Sequence, residues 1–190
     1  MIEEFIDFVD ASFPNIPYAE KEKAKEAVNQ FKKTGQTVNY LYGNLLPDFS
    51  QGDILSDIPF YFFDKDGQLR RFKSKAMVIN TSCHIENKSS LTFVPLVSIE
   101  NNMKNLNDIQ NNYVYEFLYL PDEKLRDFYI DFSITTTYQR DFIIKALESG
   151  LIKRIASLSQ IGYYLFIVKL NIYFTRREDY ETQDNRKNYF

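Results

Sequence analysis

The 190-residue chain contains one cysteine, one histidine and no tryptophan. A lone Cys83 cannot close an intramolecular disulfide, which fits a reducing compartment. With His84 as the only histidine, the His/Cys set of a structural zinc site cannot be assembled. Six glycines form neither a Walker loop nor a dinucleotide fingerprint, which excludes P-loop NTPases and simple dinucleotide enzymes. There is no internal repeat and no Gly/Ser linker. Global positive charge is missing too. The net charge is −3 and the pI about 5.3, so no overall basic field attracts nucleic acid or an anionic membrane. The opening MIEEFIDFVDAS places acids where an export signal needs bases. The longest apolar run, Ile161 to Phe174, is interrupted by Lys169 and Asn171 and falls short of the roughly 20 residues that span a bilayer. A cytoplasmic location, no membrane association, no metal and no cofactor are the resulting expectations.

What is present is ordinary in amount: 44% hydrophobic and 26% charged residues. That balance, with a mean hydropathy of −0.38, fits one folded domain with a helical appendage better than two domains. Seventeen Phe and 14 Tyr stand out. Ile, Asn and Lys are abundant alongside them, as an AT-rich genome would produce, so aromatic richness alone does not define a binding surface.

Periodicity divides the chain in three. Ile2, Phe5, Ile6, Val9 and Phe13 fall at helical spacing, and Tyr18 to Lys33 is rich in helix formers with Gly35 behind it. From about Gln51 the period becomes two, with strands expected at 53–63, 68–74, 76–80, 91–99, 113–120 and 128–136. Asp66-Gly67 marks a hairpin between the first two. Residues 101–112 read as a loop. Helical period returns at 138–149 and 159–176, joined by a short piece at 151–158, and the polar tail 178–190 is expected to fray. Consecutive strands between helices make the class α+β, and five to six short strands with turns suit a small bent barrel whose closure removes exposed edges. The expected organisation is a helical appendage (1–49), a barrel (50–137), C-terminal helices packed on it (138–177) and the tail (178–190).

Three groups of residues could carry chemistry. Between Asp64 and Lys75, five bases face two acids, with Tyr61, Phe62 and Phe72 beside them. Cations interleaved with aromatics can seat single-stranded nucleic acid by phosphate attraction and base stacking; the plainer reading is a soluble sheet edge. Cys83-His84 offers a thiol beside an imidazole, but neighbours on extended chain point apart. A buried structural cysteine and a turn role for His84 compete with catalysis there. Asp53 and Asp57 flank Leu55-Ser56 as possible paired carboxylates, yet no third ligand follows at motif spacing. Lys153-Arg154 reads as cations at a helix end, without a site.

Gln51-Gly52-Asp53-Ile54, Ala76 to Asn80 and Phe93-Val94-Pro95-Leu96 resemble the core of MazF/PemK-type toxins, which are small SH3-like barrels that cleave RNA. The chain also resembles a set of bacterial proteins that join Q-G-D-I, an S-x-x-C-D-I turn and R-x-A-S-L-S in this order, without an established activity. Here those features are Gln51 to Ile54, Asn80 to Ile85 and Arg154 to Ser159. The toxin resemblance implies an SH3-like barrel and an arginine before the second strand, at Arg70 or Arg71. It also implies a Thr/Ser after the Val-Pro strand, where this chain has Val97 and then Ser98. The expectation is a bacterial or phage-associated protein that binds a macromolecule, RNA or protein, through a groove lined by Tyr61, Arg70, Arg71, Lys73 and Ser98. An endoribonuclease using those arginines and a non-catalytic assembly module, a homodimer included, are the alternatives.

Overall fold

A computed structural model describes residues 18–34, 38–100, 103–175 and 180–187. The helix expected over residues 2–13 and the cap at Gly35 lie outside them. The described part is α+β, with seven antiparallel strands and helices on both faces of the sheet. Helix α1 (Tyr18–Thr34) comes first. Strands β1 (Ile54–Phe63) and β2 (Leu69–Val78) form a long hairpin. Its turn is fixed by Asp64, whose Oδ1 accepts the N–H of Asp66 (3.0 Å) and of Gln68 (2.9 Å). Gly67 supplies the left-handed conformation (φ 73°) that the turn demands. A bulge at Asp57 shifts the register between Leu55 and Ile58.

Short helix α2 (Ser82–Asn87), capped by Thr81, leads into β3 (Ser90–Ser98). Helix α3 (Leu106–Gln110) precedes β4 (Phe117–Tyr119), and β5 (Phe128–Asp131) and β6 (Thr136–Gln139) follow. Helix α4 (Arg140–Glu148), β7 (Arg154–Ala156), α5 (Gln160–Thr175) and α6 (Tyr180–Lys187) complete the chain. The sheet order is β4-β5-β3-β2-β1-β7, with β6 also on β3.

Alternation along the inner strands buries both faces of the sheet. Ile54, Met77, Val94 and Leu96 join Leu165, Phe166 and Val168 of α5 on one side. Leu55, Ala76, Val78, Leu91 and Phe93 join Ile85 of α2 and Ile143 of α4 on the other. Helix α1 closes the first core, with Val28 and Ala24 packed into it.

The sheet does not close into the expected barrel. β4 and β7 stand at opposite ends of the strand order. The edge beside β7 is instead occupied by residues 41–42: Leu41 bridges Leu158, and the Tyr42 N–H donates to the Ser157 carbonyl at 2.8 Å. At the other end, the strand expected at 128–136 is broken. Leu96 pairs with Ile130 but Phe93 pairs with Thr136, so residues 132–135 loop out between β5 and β6.

Other local expectations change as well. The strands expected at 68–74 and 76–80 are one strand, polar where it leaves the sheet and apolar where it enters the core. Residues 138–139 extend β6 rather than opening the helix. The 101–112 loop contains α3, the 151–158 connector contains β7, and the tail contains α6.

Candidate nucleic-acid interface

The outer part of the β1–β2 hairpin is a two-stranded arm, because β2 pairs with β3 only through Ala76, Met77 and Val78. Its root is tied down by two bonds. Tyr138 Oη donates to the Pro59 carbonyl at 2.7 Å, and Ser74 Oγ to the Leu96 carbonyl at 2.6 Å. Directly opposed residues on an antiparallel pair share a face. Phe60 opposes Phe72 and Phe62 opposes Arg70, which makes an inner ladder. There Phe60 and Phe72 stack at 5.2 Å, and Phe62 meets Phe72 edge-on at 5.9 Å. Arg70 Nε reaches Asp64 at 2.7 Å. That contact, followed by the N–H groups of Gln68 and Asp66, holds the Asp64 carboxyl below the usual carboxylate range.

The other face is different. Pro59 opposes Lys73, Tyr61 opposes Arg71, and Phe63 opposes Leu69. Tyr61, Phe63, Leu69, Arg71 and Lys73 are all exposed, Phe63 by 73%. None of these six paired positions carries an acid. Four of the ten exposed large hydrophobic residues among those described (Tyr61, Phe62, Phe63 and Leu69) sit on this one arm. That clustering is what separates a contact surface from scattered exposure.

Arg70 and Arg71 therefore divide between the faces: Arg71 stays opposite Tyr61 on the outer face, while Arg70 sits opposite Phe62 and is bound to Asp64. Ser98 is elsewhere: it pairs with Phe128 on the β3–β5 ladder, and Lys75 covers the Phe128 ring with its Nζ 4.4 Å from the centroid. Arg71 lies four residues beyond Lys75, roughly 13 Å farther along the strand. Phe63 and Leu69 escaped the sequence reading because a continuous apolar run does not reveal which members leave the core. The Asp66-Gly67 turn was the usable signal, since it fixes the register and hence the faces.

Asp53 is buried completely and does not pair with Asp57, which sits exposed on the bulge. Its Oδ2 meets Arg154 NH2 at 2.8 Å and accepts the Ser50 N–H at 2.9 Å. Burial pushes its pKa up, opposed by Ser157, the Ser50 N–H and Arg154. Arg154 lies on β7, not at a helix end, and donates to the carbonyls of Leu46 (2.8 Å) and Asp48 (3.0 Å). Gln51 donates to the Ile79 carbonyl at 2.8 Å and accepts from Tyr163 at 3.2 Å. The Q-G-D-I and R-I-A-S segments thus meet in one buried joint, which the exposed N-T-S-C turn touches where Ser82 Oγ accepts the Gln51 N–H at 3.3 Å, and the arrangement reads as architecture.

Cys83 and His84 are exposed on α2, not buried or in extended chain. Thr81 and the buried Ile85 start and anchor that helix. Asn87 Nδ2 contacts the Cys83 carbonyl (2.9 Å) and sulfur (3.7 Å). Among the described residues no three His, Cys, Asp or Glu side chains gather as a metal site, and no helix is long and apolar enough to cross a membrane. Comparison with protein-family models, curated proteins and solved structures finds no match to this chain.

Proposed function

We propose that the protein binds single-stranded RNA along the outer face of the β1–β2 arm. One observation carries this reading: Tyr61, Phe63, Arg71 and Lys73 are exposed together on an acid-free face. Alternate residues of a strand lie roughly 6.6 Å apart, so Tyr61 and Phe63 offer two successive stacking platforms. Arg71 and Lys73 on the paired strand supply the phosphate contacts. Arg70 is committed to Asp64 and Ser98 belongs to another ladder, so the binding set is Tyr61, Phe63, Arg71 and Lys73. Binding without cleavage is favoured, because 2′-OH attack needs a base within hydrogen-bond reach and this face has neither carboxylate nor imidazole.

Fluorescence anisotropy with a labelled single-stranded RNA tests this. Two phosphate contacts give a slope of log affinity against log salt of about −1.4, and Arg71→Ala brings it to about −0.7. Tyr61→Ala and Phe63→Ala each weaken binding by about 1–3 kcal/mol. Absence of binding at low salt, or binding indifferent to all three changes, overturns the proposal. RNA cut by the wild type but not by Arg71→Ala replaces it with the endoribonuclease reading. A co-purifying protein lost on the same substitutions replaces it with protein docking.

A further inference from the structure

Helix α5 carries a lysine in its most apolar stretch, and that lysine is only 4% exposed. Lys169 Nζ donates to the carbonyls of Asn112 (2.7 Å) and Val114 (2.5 Å). Asn112 is itself locked in a left-handed conformation (φ 57°), its side chain exchanging bonds with the backbone of Tyr119. Two of the three ammonium protons are thereby used, and no acceptor among the described residues takes the third. Burial lowers the Lys169 pKa to about 8, with Glu116 opposing, so the amine is mainly charged at neutral pH.

Lys169 lines a cavity of about 230 Å³ between α1 and α5. Its walls are Val28 and Phe31 of α1 with Leu165, Val168 and Ile172 of α5. Lys32, Asn112 and the exposed Tyr113 complete the lining. Two lysines and no acid line this space. An apolar cavity of about 150 Å³ accommodates benzene, so this one has room for on the order of ten non-hydrogen atoms. Apolar walls with a buried lysine in the lining complement a small amphiphile whose polar end is an anion. We propose that this cavity is a binding site for a medium-length aliphatic monocarboxylate, held by Lys169 at its carboxylate and by the α1–α5 walls along its tail. This site is separate from the β1–β2 arm and independent of RNA binding.

Octanoate, with ten non-hydrogen atoms, is the probe, and octylamine of matched length is the charge control. In methyl-labelled full-length protein, octanoate is expected to shift the methyl signals of Val28, Leu165, Val168 and Ile172 saturably, while octylamine leaves them in place. Lys169→Met is expected to weaken octanoate at least about tenfold, the scale of one lost charge-assisted hydrogen bond. Should that variant fail to fold, Val28→Phe, which fills the cavity and keeps the amine, is expected to abolish the shifts of Leu165, Val168 and Ile172. Non-saturable shifts, equal response to octylamine, or unchanged octanoate affinity in a folded Lys169→Met protein overturns the proposal.

Discussion

Removing Arg154 leaves the fully buried Asp53 carboxylate without its cation, and the carbonyls of Leu46 and Asp48 without their donor. An ion pair in such a place is weak evidence of net stabilisation, because desolvation offsets the attraction. Breaking it from one side is another matter. Arg154→Met is therefore expected to destabilise the protein by about 3–5 kcal/mol, read as the shift in urea unfolding free energy. Adding Asp53→Asn removes the stranded charge, so the double variant recovers part of the loss. A single variant that loses under about 1 kcal/mol, or a double variant no better than the single, contradicts this account. The pair was only half visible in the sequence. Asp53 stands out in Gln51 to Ile54, but a three-residue strand at Arg154–Ala156 has too little length for a period, so its arginine read as a helix-end cation.

Helix α5 meets the chain at Gly162, where an added Cβ would run into the Tyr40 carbonyl. That carbonyl also accepts the Ser159 N–H at 2.9 Å, so the backbone of residue 40 is seated against the first turn of the helix. Alanine exceeds glycine by about 1 kcal/mol inside a helix. Gly162→Ala would stabilise on propensity alone. The contact reverses the sign: the variant is expected to lose about 2 kcal/mol, within the range for forced backbone shifts, as a lowered thermal midpoint. A raised midpoint would mean that residues 38–42 yield freely.

At the same scale, the long elements were readable. β1, β3, α1, α4 and α5 lie within a few residues of the expected spans because their periods persist. Sheet closure was not readable. Strand count and turn spacing are alike for an open sheet and a barrel, and the competing edge partner, Leu41-Tyr42, carries no strand pattern of its own. Lys169 appeared in the sequence as an interruption of the longest apolar run. Its burial follows from α1 and the 112–114 segment packing against α5, which periodicity does not reach.

Over the whole molecule, titration of buried groups sets an unusual alkaline profile. Lys169 titrates near 8 in the folded protein against an ordinary 10.5. Below pH 8 both states hold the proton and the burial cost is fully present. Between about 8 and 10.5 the folded state releases it first, the unfolded state binds more protons, and stability rises with pH. At 1.36 kcal/mol per unit the full rise is about 3 kcal/mol. The tyrosines act in the opposite sense. Burial pushes Tyr40 up to about 12, and burial with the Glu20 hydrogen bond does the same for Tyr164. The unfolded chain loses those protons first, so above about pH 10 stability falls. Urea midpoints are accordingly expected to climb from pH 7 to a maximum between about 9 and 10 and then drop. In Lys169→Met the climb disappears while the drop stays. A wild-type midpoint that falls steadily from pH 7, or an equal climb in the variant, would show that the amine on α5 is solvated and that the α1–α5 seam is open to water.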